Sequence, residues 1–208
     1  DDGRCIKKNK VKKMRSAKIE RKTSETNVSI ELDLDGKGQY NVSTGVGFLD
    51  HILTAFAKHG RFDLKVKATG DLEIEPHHTI EDVGIVLGTA FKKALGDKKG
   101  IERFGFCELP MDDSLCKAVV DLSGRSYLVF KGYFKREKVG EMPTEMVKHF
   151  FEAFCQASEA NVHLDIIYGD NEHHKIEGLF KAFGKAMKQA CTVNPALAGA
   201  IQSTKGSL

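Results

Sequence analysis

Two stretches of the chain carry apolar residues at intervals of three and four positions. The first set is Ile80, Val83, Gly84, Leu87, Phe91 and Ala94, and the second is Ile176, Leu179, Phe180, Phe183, Met187 and Ala190. Because 3.6 residues make one helical turn, each set falls on one side of a helix. The pattern predicts two helices with one buried face each, the first ending at Gly96 and the second before Asn194-Pro195.

These helices belong to a longer internal repeat. Residues 47–56 (GFLDHILTAF) align with residues 145–154 (EMVKHFFEAF), so that His51 falls on His149. Further along, HHTIE at 77–81 falls on HHKIE at 173–177, in a register shorter by two residues. Self-similarity of this length predicts that one structural unit occurs twice.

Strand signals precede and separate the predicted helices in both halves. Apolar side chains take every second place in residues 62–69 and again in residues 161–168, as in a half-buried strand. Two hairpins are also expected, one joining 27–36 to 38–43 through an Asp-Gly turn, the other joining 115–124 to 127–132.

The order of these elements predicts an α+β fold made of two β-β-β-α-β-α halves, residues 16–100 and 101–192. Because the faces of a sheet must be covered, the four helices are expected to pack between or against the two sheets as one body. Residues 1–15 are rich in lysine and lack an apolar pattern, which indicates a disordered extension or the remainder of a trimmed segment. Residues 193–208 form a C-terminal tail.

Composition excludes several classes of protein. The 208 residues carry 32 basic and 29 acidic side chains, a net charge of +3, which lacks the basic footprint of a nucleic-acid-binding protein. The five cysteines are odd in number and have no C-x-x-C spacing, so neither a disulfide framework nor a thiolate zinc site is indicated. No apolar run approaches the roughly 20 residues that cross a bilayer. We therefore expect neither a nucleic-acid partner nor a membrane partner.

Six of the eight histidines lie in the repeated blocks, at equivalent places. Imidazole beside carboxylate is a ligand set for manganese, iron or zinc. In H-H-x-x-E the glutamate shares a helix side with either histidine, but the two adjacent histidines point about 100° apart. They are therefore expected to serve different metals. The hypothesis is one site of His77, His149, His173 and Glu177, and a second of His51, His78, His174 and Glu81.

Basic and hydroxyl side chains cluster in four segments outside the repeated blocks. These are RKTSET at 21–26, IERFG at 101–105, DLSGRSY at 121–127 and STKG at 203–206. Guanidinium and ammonium groups beside hydroxyls suit the oxygens of a phosphate. Each segment alone is equally typical of solvated surface.

In this order the motifs resemble the imidazoleglycerol-phosphate dehydratase family over almost the whole chain from about residue 15. The ordered series is RKTSET, FLDH, HHTIED, IERFG, DLSGR, HHKIEGLFKAF and STKG. The resemblance implies a duplicated fold related to the second domain of ribosomal protein S5. It also implies two manganese(II) ions per active site, and a homo-oligomer of 24 subunits whose active sites are completed at subunit contacts.

The resemblance also implies roles for particular residues. Family metal ligands fall on His51, His77, His78, Glu81, His149, His173, His174 and Glu177, and substrate contacts on Glu25, Arg103, Arg125, Lys181, Ser203 and Lys205. Arg103, Arg125, Ser203 and Lys205 would take the phosphate, while Glu25, Glu81 and Glu177 are the acids expected at the reacting centre. One departure is the segment PMDDSL at 110–115, where the family more often has Glu at the place of Asp113.

The implied reaction is dehydration of imidazoleglycerol phosphate to imidazole-acetol phosphate in histidine biosynthesis. Metals on both ring nitrogens would make the ring an imidazolate, whose electrons expel the hydroxyl to give a diazafulvene-like intermediate. Glu25 is the candidate base for the next proton, because it lies outside the repeated ligand set. Without the resemblance, a dinuclear metal phosphoester hydrolase or a metal-binding protein without catalysis would also fit. The expected location is the cytoplasm, or the plastid for a plant source.

Overall fold

The computed structural model describes residues 15–208. The expected disordered extension therefore lies outside the described residues except at its last position. Arg15 belongs to the fold, because its carbonyl accepts a hydrogen bond from the Leu34 amide and its guanidinium pairs with Asp35 at 2.6 Å.

Among residues 15–208, ten strands and four α-helices follow one another, and all but two short strands were predicted in this order. The first half contains β1 (Ser16–Lys22), β2 (Thr26–Asp33), β3 (Tyr40–Ser43), α1 (Gly47–Gly60), β4 (Asp63–Gly70) and α2 (His77–Leu95). The second contains β5 (Phe104–Met111), β6 (Ser114–Asp121), β7 (Tyr127–Lys131), β8 (Lys138–Val139), β9 (Met142–Pro143), α3 (Glu145–Ser158), β10 (Asn161–Tyr168) and α4 (Glu172–Cys191). Each half is β-β-β-α-β-α, with the short β8–β9 hairpin added to the second. The predicted α+β class and repeat are confirmed.

Each half forms one four-stranded mixed sheet. The strand orders are β1-β2-β4-β3 and β5-β6-β10-β7, in which β3 runs parallel to β4 and β7 parallel to β10. The two expected hairpins are therefore wrong, since β2 does not pair with β3, nor β6 with β7. In each half the strand that follows the first helix is inserted between them. The hairpins that do form are β1–β2 and β5–β6.

The helices pack across the two halves, α1 against α4 and α2 against α3. Glycines at equivalent places allow the close approach, because a Cβ on Gly88 would lie 2.5 Å from the Phe154 carbonyl oxygen and one on Gly184 would lie 2.6 Å from that of Phe56. Any larger residue would push the helix backbones apart. The pairing brings the helix that carries one H-H-x-x-E motif beside a helix of the other half.

A layer of aromatic rings fills the space where the four helices meet. Phe56, Phe91, Phe154 and Phe183 are all buried, and their neighbouring rings lie 5.1–5.9 Å apart, centroid to centroid. Such edge and offset contacts add to the hydrophobic free energy of burial. The core thus runs continuously from one half into the other, and the helix starts are held in fixed relative positions.

Two expectations from composition concern the cysteines and the membrane. Burial raises the pKa of the Cys116, Cys155 and Cys191 thiols to about 12, so they act as small hydrophobes. Of the helices among residues 15–208, none combines the length and the apolar character needed to cross a bilayer.

Candidate metal centre

Both H-H-x-x-E motifs lie in the first turns of their helices. His77 is the first residue of α2, and His173 and His174 follow the start of α4, where the Asn171 side chain accepts hydrogen bonds from both of their amides at 2.9 and 3.4 Å. Neutral imidazole is the form that binds a metal ion.

One ligand cluster joins His51 of α1 to His173 and Glu177 of α4. Each imidazole places Nε2 3.0 Å from Glu177 Oε2, and the three ligand atoms lie within 4.8 Å of one another. Two imidazoles and a carboxylate converging on one point fit a borderline divalent cation such as manganese, iron or zinc. The cluster forms because α1 packs on α4, so that its ligands come from both halves.

Glu177 is the most buried of these ligands and is strongly biased toward its ionised form. Burial alone would raise its pKa, but hydrogen bonds from Lys181, His51 and His173 outweigh burial and lower the pKa to about 2. The Lys181 ammonium lies 2.6 Å from Oε1 and also contacts the Met111 sulfur. An ionised carboxylate is thus available to a cation throughout the neutral range.

Replacing Glu177 by Gln in the metal-free protein should cost more stability at neutral pH than in acid. The folded pKa of about 2 lies below the ordinary 4.5, so the ionised form stabilises the fold above pH 4.5, and this contribution is lost as the pH falls toward 2. Urea unfolding of both proteins at about pH 7, 5 and 3 measures the difference. Glu81→Gln is the matched control, because that carboxylate is 47% exposed. A stability difference that does not depend on pH would contradict the lowered pKa of Glu177.

A second cluster repeats the first in the other pair of helices. The rings of His77 of α2 and His149 of α3 lie 5.3 Å apart, against 5.2 Å for His51 and His173, with similar tilts of 49° and 56°. Glu81 Oε2 lies 4.0 Å from His77 Nε2. This cluster is the more open of the two, because Glu81 is far more exposed than Glu177.

Within one chain the ligands are grouped differently from the hypothesised division between two metals, which stays a prediction. The structure brings His51, not His149, to Glu177, and it places His149 beside His77. His51 lies with His173 and Glu177 because α1 packs on α4, while His149 lies beside His77, as in the hypothesised set. The pairing of His173 with Glu177 agrees with the expectation, as does the divergence of the adjacent histidines.

The second histidine of each motif lies apart from both clusters and pairs with acids of its own half. His78 Nδ1 is 2.9 Å from Asp71 and 3.8 Å from Glu25, and the hydrogen bond with Asp71 raises the pKa of His78. His174 Nδ1 is 2.5 Å from Asp113, and its Nε2 is 3.4 Å from Asp112. The sequence did not indicate Asp71, which carries no motif and simply follows β4.

The four residues expected to take a phosphate line one cleft of about 530 Å³. They are Arg103, Arg125, Ser203 and Lys205. Arg103 is held in place by a forked pair of hydrogen bonds to Asp121, at 2.7 and 3.1 Å, and donates a third to the Gln202 carbonyl at 2.5 Å. Three positive charges and a hydroxyl around one cleft suit an anion with several oxygens.

Within one chain this cleft lies far from the first cluster. The Arg103 amide donates to the carbonyl of Ala190 at 3.0 Å, near the C-terminal end of α4, whereas His173 of the cluster is in its first turn. At a rise of 1.5 Å per residue, the distance along the helix is about 26 Å. A small molecule cannot touch both places in a single chain.

The fold and the clusters define an internally duplicated α+β protein with two imidazole–carboxylate clusters, each shared between its halves. Residues 44–187 match the family model "Imidazoleglycerol-phosphate dehydratase". A protein of that name from Lacticaseibacillus casei is 55% identical over 93% of this chain and 99% of its own length. One from Clostridium acetobutylicum is 52% identical over 93% and 98%. The chain belongs to the imidazoleglycerol-phosphate dehydratase family, as the resemblance predicted, and is a hydro-lyase.

Solved structures of the family share the fold. Imidazoleglycerol-phosphate dehydratase from Staphylococcus aureus superposes with a TM-score of 0.77 at 40% identity, covering 86% of this chain and 99% of that one. The Pyrococcus furiosus enzyme gives 0.79 at 32% identity, covering 91% and 100%. The described fold is therefore that of the family over most of the chain.

Proposed function

We propose that the chain dehydrates imidazoleglycerol phosphate to imidazole-acetol phosphate in histidine biosynthesis. The observation that carries the proposal is the combination, in a chain of this family, of two matched imidazole–carboxylate clusters with a separate cationic cleft. The substrate has the corresponding parts, an imidazole ring with two nitrogens and a phosphate at the other end of a short chain. The two kinds of site can therefore recognise the two ends of one molecule.

Two manganese(II) ions per active site are proposed as the cofactors. His51, His173 and Glu177 would hold one ion, and His77, His149 and Glu81 the other, with His78 and His174 as further ligands. Bound manganese would supply Lewis acidity that lowers the pKa of the substrate's imidazole ring. The ionised state of Glu177 supports this assignment, since a cation needs no proton displaced from that carboxylate.

The active site is proposed to form between copies of the chain. The length of α4 separates the cleft at Arg103 from the histidines at the helix start, so one substrate molecule can reach both only if they come from different subunits. His78 and His174 also lie outside the clusters of their own chain, where a neighbouring copy can meet them. We extend this to a closed homo-oligomer of 24 subunits, the size that the family resemblance implies.

The remaining residues position the substrate and move its proton. The phosphate would be bound by Arg103, Arg125, Ser203 and Lys205. This contact would fix the glycerol chain and so align the substrate for reaction. Glu25 would accept the proton from the carbon next to the departing hydroxyl. The Lys181 ammonium, 2.6 Å from Glu177 Oε1, would also contact a substrate oxygen.

Manganese removal tests the proposal directly. Protein stripped by a chelator should lose at least about 100-fold in activity toward imidazoleglycerol phosphate, and manganese should restore it, because the ring is not acidic enough by itself. Product is followed as the ketone. Parallel assays measure inorganic phosphate, which a dinuclear phosphoester hydrolase would release. Metal uptake without either product would support a binding protein and contradict the dehydratase.

A further inference from the structure

The second histidine of each H-H-x-x-E motif faces an acid in the first hairpin turn of its own half. In the first half the β1–β2 turn places Glu25 3.8 Å from His78 Nδ1. In the second half the β5–β6 turn places Asp113 2.5 Å from His174 Nδ1. The two acids are equivalent by fold position, but only the second makes a hydrogen bond with its histidine.

Asp113 is held in one orientation by the backbone. Its Oδ2 accepts hydrogen bonds from the amides of Asp170 and Asn171, at 2.6 and 2.9 Å, which leaves Oδ1 for His174. An ionised carboxylate can only accept hydrogen bonds, so the proton must be on His174 Nδ1. Nε2 of the neutral ring then carries the lone pair, 3.4 Å from the exposed carboxylate of Asp112.

In the first half, Asp71 makes the hydrogen bond with the second histidine, although it does not lie in the hairpin turn. It follows β4, and its Oδ2 lies 2.9 Å from His78 Nδ1. Its other oxygen, Oδ1, is buried and has no hydrogen-bond partner among residues 15–208. Because Asp71 contacts His78 directly, Glu25 stays 3.8 Å away and its carboxylate remains 53% exposed.

We propose that Asp71 and Asp113 are positioning residues that hold His78 and His174 in the Nδ1-protonated tautomer, with Nε2 presented to a metal ion. In the first half, this leaves the hairpin-turn acid Glu25 free to act on the substrate. The inference rests on the proposed function, since it assigns these histidines as metal ligands. Carboxylates that orient a ligating imidazole in this way commonly change metal affinity 10- to 100-fold when removed.

The two acids should respond differently to replacement by asparagine. In Asp113→Asn the side-chain oxygen must face the amides of Asp170 and Asn171, because an NH₂ group cannot accept from them. The NH₂ group then faces His174 Nδ1 and forces the proton onto Nε2. In Asp71→Asn nothing among the described residues holds Oδ1, so the amide can turn its oxygen to His78 and keep the ring as it was.

The first experiment measures the tautomer in metal-free protein, independently of the proposed reaction. Nitrogen-15 NMR of histidine-labelled protein at about pH 9, where imidazoles are neutral, distinguishes the two ring nitrogens. Asp113→Asn should move the His174 proton from Nδ1 to Nε2, and Asp71→Asn should leave His78 unchanged. Comparison with His78→Ala and His174→Ala assigns the signals. An unchanged His174 tautomer in Asp113→Asn overturns the inference.

The second experiment is a manganese titration followed by electron paramagnetic resonance. Asp113→Asn should bind the affected ion 10- to 100-fold more weakly and resemble His174→Ala, while Asp71→Asn should stay close to the parent protein. Asp113→Ala should bind manganese better than Asp113→Asn yet unfold at lower urea, because it loses the two backbone hydrogen bonds. A purely structural role predicts the opposite order of metal affinity. Failure of the parent protein to bind manganese would contradict the proposed function, while the tautomer result still decides the inference.

Discussion

Replacing Glu25 by Gln is expected to lower kcat by about 10²- to 10⁴-fold, the range for loss of a general base. Gln keeps the size of the side chain but has no oxygen that can take a proton. The turn that carries Glu25 is fixed, since the buried Asp82 of α2 accepts hydrogen bonds from Arg21, at 3.0 Å, and from Thr26 on either side of it. The change should therefore affect the chemical step, measured as kcat with the KM and manganese content recorded alongside.

Glu20→Gln is the matched control for this measurement. Glu20 lies on β1, only a few residues before the turn, and its contact is a surface ion pair with Lys18 at 2.9 Å. Surface ion pairs contribute little to stability, so this variant should keep the parent kcat. Near-parent turnover in Glu25→Gln would remove Glu25 as the base. A fall in manganese content equal to the fall in kcat would make it a ligand-supporting residue instead.

The repeat was the most informative feature of the sequence. Apolar spacing after His77 and His173 predicted α2 and α4, and the matching blocks predicted that His51 and His149 occupy equivalent helices, all of which the structure confirms. Periodicity of this kind reports which face of an element is buried, which is local information. The fold class followed because the order of elements is largely set by that local pattern.

Contacts between elements were harder to predict, and the wrong hairpins are of that type. The Asp-Gly at 35–36 predicts a hairpin turn, but β4 pairs with β2 and excludes β3 from that edge. Likewise, a motif on one helix cannot show which other helix will face it. His51 reaches Glu177 only because α1 packs on α4, and that choice depends on three-dimensional packing of the glycines and phenylalanines.

Cross-half packing has a consequence for the chemistry as well as for stability. Each cluster takes one histidine from α1 or α3 and the remaining ligands from the other half, so neither half alone contains a complete cluster. The ligands are held by helices whose cores are fully buried. Rigid elements of this kind keep ligand atoms close to productive geometry before a metal binds.

Two inactive variants should restore activity when they are assembled together. His173→Ala breaks the first cluster, and Arg103→Ala breaks the cationic cleft, so each alone should have very low activity. The length of α4 places these two sites about 26 Å apart in one chain. If an active site takes its cluster from one subunit and its cleft from another, random mixing at equal amounts leaves about a quarter of the sites intact. Co-expression with two different affinity tags, followed by tandem purification and assay, measures this fraction.

The double variant His173→Ala/Arg103→Ala, co-expressed with the parent chain, separates complementation from simple dilution. Both defects then sit in the same subunit, so a site formed across subunits again survives only when both contributing chains are parental, at about a quarter of sites. A site contained in one chain would instead leave about half of them active. A site contained in one chain would also leave the mixture of the two single variants without activity. Recovery near a quarter in both mixtures therefore supports sharing, whereas half in one and none in the other would place the whole site within a single subunit.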